Sequence, residues 1–452
     1  MTDEQMFLEY DLIVIGAGMA GLSAAGRAAD AGAKVLVVEK ASEIGGSGQH
    51  AGFLWTVPDE RVLRGWDDGD PHLARVVLEN FPEGTEWMRS RGMFQSGPTP
   101  VLHGLGYALN VTGHLQDCTK MIRKAGGQII LGAFVEELIL SPEGRVEGAR
   151  ILDDNELIEV KAEWTLIATG GFQANPALRA EKIHPNAAGI ALRSNPNSTG
   201  DGIRLGLQAG STWAGENPGF YGHLISSPAC LNNPSLFTRL SQYHSDYSLL
   251  FNEEGVRFTD ESQGDFRSSN ELVFQPNARG LLVWDEHIQQ EHVLKSFVHG
   301  VEAEDRLQVA LQHGALGIKV KEITELSDIA AQWGFDGKTV VQSIKEYNEK
   351  VVSSPEKINP SRAYDLRPLD KAPYYALVVE PAITFTHAGL RIDDQARALN
   401  SEGKPIPGLL VAGADTGNVY KRGYGGGLAM ALGFALQAVK TAGWIVPKVS
   451  NV

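Results

Sequence analysis

Cysteine is scarce in this sequence, and acidic residues outnumber basic ones. Cys118 and Cys230 are the only cysteines among 452 residues, and their separation suits neither a disulfide framework nor a metal-ligand motif. We therefore expect a protein of a reducing, cytoplasmic compartment that holds no metal. The formal net charge of −15 disfavours nucleic acid and anionic membrane surfaces as partners.

Long apolar runs are also scarce. The acidic first residues, MTDEQMFLEY, lack the apolar core of a signal peptide. The most apolar stretch, residues 425–446, begins with glycines and is interrupted by Gln437 and Lys440, so we predict a buried helix there and no membrane span. The chain is long enough for two or three globular domains.

The beginning of the chain has the pattern of a dinucleotide-binding unit. Leu12–Ile15 predicts a buried parallel strand, and residues 34–38 predict a second strand after a helix of small residues. Glu39 ends that second strand, where a carboxylate meets ribose hydroxyls. Between them lies a G-x-G-x-x-G motif formed by Gly16, Gly18 and Gly21. These glycines allow a tight turn, close approach to a pyrophosphate and close packing of helix on strand.

Further glycine-rich turns follow later in the chain. One is the loop 45–52, directly after the second strand, and another is Gly170–Gly171, after an apolar strand at 164–169. Near the C-terminus, GYGGG leads into an apolar helix, and its bare backbone suits a flavin ring or ribityl chain. Residues 56–115 contain several prolines that mark breaks, and we expect a segment of mixed character that includes helices.

The middle of the chain differs in composition from both ends. Residues 215–370 are richer in His, Asn and Gln and contain short helical patterns. We predict a first part of a cofactor domain at 1–214, a second domain at 215–370, and a return to the first domain at 371–452.

These motifs together resemble the FAD-dependent succinate dehydrogenase/fumarate reductase flavoprotein superfamily, including its 3-ketosteroid dehydrogenase and tricarballylate dehydrogenase-like branches. The resemblance rests on the ordered segments GAGMAG, IGGSGQHAG, IATGGF, TGDGI, LLFNEEGVRFTDE, THAGLRID and GLLVAGADTG with GYGGGLAMALGFA. It implies an α/β fold in which a Rossmann-like FAD-binding domain is interrupted by an α+β capping domain. It further implies a substrate between cap and flavin, with hydride passing to or from flavin N5.

The resemblance also assigns cofactor contacts residue by residue. The flavin-linking histidine of respiratory members has no clear match here, so the implied FAD is non-covalent. The implied FAD contacts are Gly16, Gly18, Ala20, Gly21, Glu39, Lys40, Gly46, Ser47, Ala51, Gly52, Val135, Thr169, Gly170, Asp201, Asp415, Gly427 and Leu428.

The chain departs from the family at positions that bind substrate. The proton-shuttling arginine of fumarate reductases falls on His244, and the carboxylate-binding histidine falls on Phe385. Both replacements argue against fumarate or succinate as substrate. Tyr424 resembles the tyrosine with which the ketosteroid branch polarises a carbonyl.

A dehydrogenation beside a carbonyl needs a base and a hydrogen-bond donor in addition to the flavin. His244 and Tyr247 are the candidate bases, and Arg422 and Tyr424 are the candidate donors to a carbonyl or carboxylate. The candidate substrate contacts are His223 and His387.

We therefore predict an FAD-dependent oxidoreductase that acts on a C–C bond beside a carbonyl or carboxylate of a small molecule. Dehydrogenation is favoured over reduction because no haem or iron–sulfur motif is visible. The chain has no second G-x-G-x-x-G for NAD(P), so electrons pass to or from an unidentified separate carrier or a small acceptor such as oxygen or a quinone. The alternatives are a flavin oxidase or hydroxylase acting on another bond, and a non-catalytic flavin-binding protein.

Overall fold

The chain divides into two units. The structure, a computed structural model, describes residues 8–101, 104–215, 218–296 and 302–445. The first unit comprises Met1–Leu178, Ser194–Phe220 and Phe385–Val452, and the second comprises Arg179–Arg193 and Tyr221–Thr384. The domain limits expected from sequence, 1–214, 215–370 and 371–452, stay a prediction, and they did not include the segment 179–193 in the second unit.

Strands occur along the whole described chain. They are β1 (Leu8–Ile15), β2 (Val35–Glu39), β3 (Phe53–Thr56), β4 (Phe94–Val101), β5 (Gly104–Leu109), β6 (Gln128–Leu131), β7 (Phe134–Leu140), β8 (Val146–Asp153), β9 (Glu156–Ile167), β10 (Ala191–Leu192), β11 (Trp213–Ala214), β12 (Phe220–Ser226), β13 (Leu249–Phe251), β14 (Gly280–Asp285), β15 (Gly317–Val320), β16 (Tyr374–Thr386), β17 (Gly389–Leu390), β18 (Arg397–Leu399) and β19 (Pro405–Val411).

Helices alternate with these strands. They are α1 (Met19–Asp30), α2 (Glu60–Trp66), α3 (Pro71–Ser90), α4 (Val111–Lys124), α5 (Pro176–Lys182), α6 (Asp201–Gln208), α7 (Leu236–Arg239), α8 (Asp265–Val273), α9 (Glu286–Ile288), α10 (Arg306–Gln312), α11 (Leu326–Gln332), α12 (Gly337–Ser353) and α13 (Gly427–Thr441).

The first unit is built on a mostly parallel sheet. Its strands follow the order β18-β19-β9-β1-β2-β6, and all neighbours from β19 to β6 are parallel. β8 extends it as an antiparallel neighbour of β9, and β7 pairs antiparallel with β8. Residues 12–15 of β1 and 35–38 of β2 are continuously apolar and buried, as central parallel strands covered on both faces must be.

Helices α1 and α13 pack together in this first unit, and α13 also packs on α3. Small residues allow the close approach: a Cβ added at Gly433 of α13 would lie 3.0 Å from the Val77 Cα of α3. The apolar stretch 425–446 therefore contains a buried helix, as expected from the sequence. Within the described ranges, no helix combines the length and the apolar character needed to cross a bilayer.

Residues 56–115 are mixed, as expected, and contain α2, α3 and the start of α4. The strands β4 and β5, which were not expected, also lie among them and pair with β3 in an antiparallel sheet. These strands contain Gly97, Pro98 and Pro100, which interrupt the alternation by which a strand is recognised from sequence.

The second unit contains a mixed six-stranded sheet centred on the long strand β16. β14 and β15 run antiparallel to β16, β10 runs parallel to it, and β13 pairs with β14. One apolar core joins β13, β14 and β16 to α11 and α12, with Trp284 among its fully buried side chains. The predicted fold class, a Rossmann-like FAD-binding domain interrupted by a mixed α+β domain, is thus confirmed.

A buried ion-pair network joins three segments of the second unit. The Glu261 carboxylate accepts hydrogen bonds from the guanidinium of Arg257 at 2.6 and 2.9 Å and from that of Arg362 at 3.1 Å. The side chains of Glu261, Arg257 and Arg362 are only 0%, 5% and 1% exposed. Removing the carboxylate charge would leave the desolvated Arg257 without its ion-pair partner and Arg362 with only the longer contact to Asp365 at 3.8 Å.

Glu261→Gln is therefore expected to lower the free energy of unfolding by about 3–5 kcal/mol. The measurement is urea unfolding followed by tryptophan fluorescence. The matched control is Glu291→Gln, which removes the exposed ion pair with Lys295 in the same unit and should not move the transition. Equal midpoints for both variants would contradict the importance of the network.

Candidate functional site

The three glycines of the β1–α1 turn each meet a different constraint. Gly16 has φ +105°, and a Cβ there would lie 2.3 Å from the Ala168 carbonyl oxygen. A Cβ at Gly21 would lie 1.9 Å from the Gly16 oxygen, so α1 can pack here only without a side chain. Gly18 is different, because a Cβ there would meet no atom closer than the Gly45 oxygen at 3.9 Å.

The open position is the N-cap of α1, where no side chain caps the helix. The twelve-residue helix therefore begins with unpaired dipole charge and a bare backbone at Gly18. Ala20, a predicted FAD contact, lies in the first turn of α1 and faces Gly413. A Cβ added at Gly413 would lie 3.0 Å from the Ala20 Cβ. This arrangement suits a diphosphate at the helix start.

Glu39, at the end of β2, is buried beside this turn and only 8% exposed. Its two carboxylate oxygens accept hydrogen bonds from the backbone N–H groups of Ala17 at 2.7 Å and Ala41 at 2.8 Å. Each oxygen has a second lone pair, which can accept a hydroxyl group. The contact with a ribose that the sequence predicts for Glu39 stays a prediction.

Lys40 and Asp201, both predicted FAD contacts, bind each other. The Lys40 ammonium donates to Asp201 at 2.5 Å and to the Thr199 hydroxyl at 2.7 Å. Val135 lies in β7 and is buried, and its carbonyl oxygen accepts a hydrogen bond from Arg204 at 3.2 Å. These contacts give the three predicted residues a structural role within the first unit.

The loop after β2 turns through two glycines in left-handed conformations, Gly45 and Gly46. It continues as a short 3-10 helix, Gly46–His50, in which the Ser47 hydroxyl hydrogen-bonds to Ser194 at 2.6 Å. Ala51 and Gly52 then lead into β3, and a Cβ at Gly52 would meet nothing within 4 Å. The loop is thus anchored at Ser47 and open at Gly52.

Asp415 is a fully buried carboxylate that holds the turn after β9 in place. It accepts the Thr169 hydroxyl at 2.9 Å and the backbone N–H groups of Gly170 at 2.8 Å and Gly171 at 3.2 Å. Burial raises the pKa of Asp415, and these three donors only partly offset it. The structure therefore brings Asp415 into contact with Thr169 and Gly170, which lie about 245 residues earlier in the sequence.

A second bare helix start lies at α13. Its N-cap, Gly426, has φ +106° and no side-chain cap. The first N–H of the helix, that of Gly427, donates to the Tyr424 phenol oxygen at 2.9 Å. The Tyr424 ring stacks on Trp55 with centroids 5.3 Å apart and an interplanar angle of 3°. Leu428 follows in the first turn of the same helix.

Asp67, which the sequence did not single out, positions the segment before Tyr424. One carboxylate oxygen accepts three successive N–H groups, those of Lys421 (2.8 Å), Arg422 (2.8 Å) and Gly423 (2.7 Å). The Arg422 backbone is fixed in this way, and the residue is exposed. No local pattern predicts this contact, because the two segments are about 355 residues apart.

His387 is buried in the first unit between Phe385 and Tyr420. Its Nδ1 lies 3.1 Å from the Lys421 carbonyl oxygen. Within the described residues Nε2 has no hydrogen-bond partner. Burial lowers the pKa of His387, with Asp67 and the Lys421 carbonyl opposing it, so the ring is neutral at neutral pH.

His244 lies in the apolar interior of the second unit. Its ring is 3% exposed and contacts the Trp284 indole edge-on at 4.7 Å. Neither ring nitrogen has a partner among the described residues. Burial, with the nearby charges of Arg306 and His292, lowers the pKa of His244 to about 3. A base with so low a pKa holds a proton poorly near neutrality.

Tyr247, the other predicted base, ends the 3-10 turn Tyr243–Tyr247. Its ring stacks on His292 with centroids 3.4 Å apart. Burial and the neighbouring carboxylates of Asp246 and Asp365 raise the pKa of Tyr247. The phenol is therefore protonated at neutral pH.

His223 belongs to a hydrogen-bonded chain of three side chains in the second unit. Its Nδ1 lies 2.5 Å from an Asp265 carboxylate oxygen, and its Nε2 lies 2.9 Å from the Tyr221 phenol oxygen. The sequence pattern indicated His223 but neither Tyr221 nor Asp265. The spacing Tyr-x-His on β12 places both rings on one face of the strand, whereas nothing in the sequence indicated Asp265 at the start of α8.

The structure thus gathers two sets of predicted residues, one in each unit. In the first unit are the glycine turn, Glu39, the Asp415 turn and the start of α13. In the second unit His223, His244 and Tyr247 all lie in or near β12 and the turn before β13. The individual roles of these residues stay predictions.

Comparison with known proteins agrees with this arrangement. The family described as "FAD binding domain" matches residues 119–428, more than half of the chain, and the family described as "FAD dependent oxidoreductase" matches residues 11–171. Together the two matches include the β1–α1 turn, Asp415 and the first residues of α13.

Two relatives cover almost the whole chain at modest identity. "NADH:fumarate oxidoreductase" of Klebsiella pneumoniae (strain 342) is 27% identical and covers 93% of this chain, which spans only 46% of that relative. "Fumarate reductase (cytochrome)" of Shewanella frigidimarina is 25% identical over 93% of this chain and 74% of that protein.

A solved structure supports the fold. The 3-ketosteroid Δ1-dehydrogenase from Sterolibacterium denitrificans superposes with a TM-score of 0.75 at 18% identity, over 96% of this chain and 99% of that one. An FAD-type glycine turn, a family match over more than half of the chain and this shared fold confirm the resemblance noted from the sequence. The chain belongs to the FAD-binding family of succinate dehydrogenase/fumarate reductase flavoproteins and is an FAD-dependent oxidoreductase.

Proposed function

We propose that this oxidoreductase dehydrogenates or reduces a C–C bond beside a carbonyl or carboxylate of a small molecule. Bound FAD supplies the site that accepts or donates the hydride. The observation that carries the proposal is the Tyr424 phenol, whose oxygen accepts an N–H at the bare start of α13. A non-covalent FAD, a separate electron carrier and a cytoplasmic location are parts of the same proposal.

The first unit has the uncovered backbone and the hydrogen-bonding groups that FAD binding requires. At Gly18 a side chain would project into open space above the start of α1, which suits a diphosphate. Glu39 would accept the ribose hydroxyls, with the turn at Thr169 and Gly170 held in place by Asp415. The remaining proposed contacts are Gly16, Ala20, Gly21, Lys40, Gly46, Ser47, Ala51, Gly52, Val135, Asp201, Gly427 and Leu428.

Tyr424 is the proposed hydrogen-bond donor to the substrate oxygen. A phenol that accepts an N–H bond at a helix start is a stronger donor through its own O–H, because both the bond and the helix dipole stabilise negative charge on its oxygen. Stacking on Trp55 fixes the ring orientation. Enolate charge on a substrate carbonyl would be stabilised by such a donor.

The other candidates have different environments. Arg422 is exposed, and its guanidinium is the proposed partner of a substrate carboxylate. His387 has an Nε2 without a partner among the described residues, which suits a substrate hydrogen bond. His244 and Tyr247 stay proposed bases, although the low pKa of His244 and the raised pKa of Tyr247 both disfavour proton removal at neutral pH.

The substrate class can be tested on the flavin itself. The holoprotein is reduced with dithionite without oxygen, and fumarate, acrylate, urocanate and 1,4-androstadiene-3,17-dione are added separately. We expect at least one of these activated alkenes to restore the visible absorption of oxidised flavin.

Molecular oxygen provides the control for this experiment. If oxygen restores the absorption with release of peroxide and no alkene does so, an oxidase is favoured and the proposed C–C chemistry is wrong.

Tyr424→Phe is expected to lower the rate with the reactive compound by about 100-fold, because one donor to the developing oxyanion is lost. The measurement is stopped-flow absorption of the flavin. Tyr420→Phe is the matched control, since that fully buried phenol donates to the Gly426 carbonyl at 3.3 Å and touches no solvent. A rate for Tyr424→Phe as high as that of Tyr420→Phe would refute the donor role.

Gly18→Ala is expected to abolish FAD binding without unfolding the protein, because its methyl group would occupy the space proposed for the diphosphate. The flavin-to-protein ratio and the melting temperature of flavin-free protein are measured together. Gly189→Ala is the matched control, since a Cβ there also meets only a backbone oxygen at 3.9 Å and its φ is −91°. Stoichiometric FAD in Gly18→Ala would contradict the assignment.

A further inference from the structure

We propose that Tyr221, His223 and Asp265 form a proton relay, in which the Tyr221 phenol exchanges a proton with the substrate carbon. This inference rests on the proposed function, for which it supplies the acid–base half. Tyr221 is the catalytic residue, while His223 and Asp265 are positioning residues that act through it.

The geometry is that of a continuous hydrogen-bonded chain. Asp265 Oδ2 lies 2.5 Å from His223 Nδ1, and His223 Nε2 lies 2.9 Å from the Tyr221 oxygen. The two rings meet edge-on at 5.0 Å with an angle of 76°. Both imidazole nitrogens are therefore engaged, which differs from the substrate contact first expected of His223.

The Asp265 carboxylate determines which atom donates in each of the two hydrogen bonds. An ionised carboxylate only accepts hydrogen bonds, so Nδ1 must carry the hydrogen that is shared with Asp265. In the neutral ring Nε2 is then an acceptor, and the Tyr221 O–H donates to it. Asp265 is the first residue of the nine-residue helix α8, where the helix dipole stabilises its negative charge.

The three side chains of the relay differ in their exposure to solvent. Tyr221 is partly exposed, whereas His223 is 6% and Asp265 7% exposed. Tyr221 is thus the least buried of the three side chains, and it is the one that we assign to the substrate.

The charges around the imidazole keep it neutral at rest. Burial lowers the pKa of His223, Asp265 opposes this, and the cations Arg193 and Arg306 add to the lowering. The Tyr243 ring also packs on the imidazole at 5.2 Å. A second carboxyl, Asp246, interacts with Asp265, and burial raises its pKa well above the usual range. Asp265 is therefore the carboxylate that would stabilise the His223 ring when this ring carries a second proton.

In dehydrogenation, the Tyr221 O–H bond breaks and its proton moves to His223 Nε2, while the phenol oxygen takes the proton from the substrate carbon. The electron pair of that C–H bond stays on the substrate and forms the π bond. Bound FAD would supply the acceptor for the hydride that leaves the neighbouring carbon. In reduction the same transfers run in reverse, so that Tyr221 donates the proton.

The other imidazoles lack these features. His244 has no acidic partner among the described residues, and its ring is buried against Trp284. His387 touches a backbone carbonyl instead of a carboxylate. Of these three histidines, only His223 connects a buried carboxylate to a side chain that solvent can reach.

The first test uses proton NMR of the oxidised holoprotein and needs no substrate. A strongly downfield resonance from the Nδ1–H shared with Asp265 is expected in wild type and in Tyr221→Phe. It should be absent in His223→Gln and in Asp265→Asn. A wild-type spectrum without a resonance that depends on both residues would overturn the relay, whatever the outcome of the substrate experiments.

The second test measures reaction of the flavin with the compound identified above. Tyr221→Phe should retain FAD and be reduced normally by dithionite, yet lose at least about 100-fold in rate. In His223→Gln the residual rate should rise with pH towards about 10, because the phenol must then ionise without its base. A merely structural role would not change the pH profile in this way.

The matched control is Tyr375→Phe, which removes a phenol bound to the Glu286 carboxylate elsewhere in the second unit. It should keep the wild-type rate and pH profile. A rate for Tyr221→Phe equal to that of this control would overturn the catalytic role of Tyr221. If wild type reacts with none of the alkenes, the proposed function fails, while the NMR result still decides whether the relay exists.

Discussion

The first unit depends on one close contact between backbone segments. The turn after β1 lies so near β9 and α1 that neither Gly16 nor Gly21 has room for a methyl group. This contact brings the start of α1 against the parallel sheet and leaves the backbone at Gly18 uncovered. The turn held by Asp415 and the start of α13 belong to the same unit, so the cofactor cradle is a property of packing as much as of single residues.

The buried ionisable groups of the second unit lie in two kinds of environment. Some of these groups are neutralised by burial, as His244 is, and others are paired in closed networks such as that of Glu261 with two guanidinium groups. The Tyr221–His223–Asp265 chain is instead buried at Asp265 and partly exposed at Tyr221. This difference in exposure is why we propose proton transfer for this chain and only a stabilising role for the Glu261 network.

The sequence predicted best what depends on near neighbours. The strand–turn–helix at Gly16 was correctly expected because its pattern lies within about thirty residues. The strands near Pro98 were missed because glycine and proline hide their alternation. Contacts such as those of Asp67 and Asp265 depend on tertiary packing, and the burial that lowers the pKa of His244 leaves no local pattern.

In its proposed role as the ribose contact, Glu39 would also select among nucleotides by charge. Both of its oxygens are held by backbone N–H groups, so the carboxylate cannot swing away. With a ribose at the proposed position, a 2′-phosphate would bring like charges within about 4 Å, a repulsion of about 4 kcal/mol at an effective dielectric constant of about 20. Phosphorylated dinucleotides of the NADP type would therefore be excluded by a charge that the fold itself immobilises.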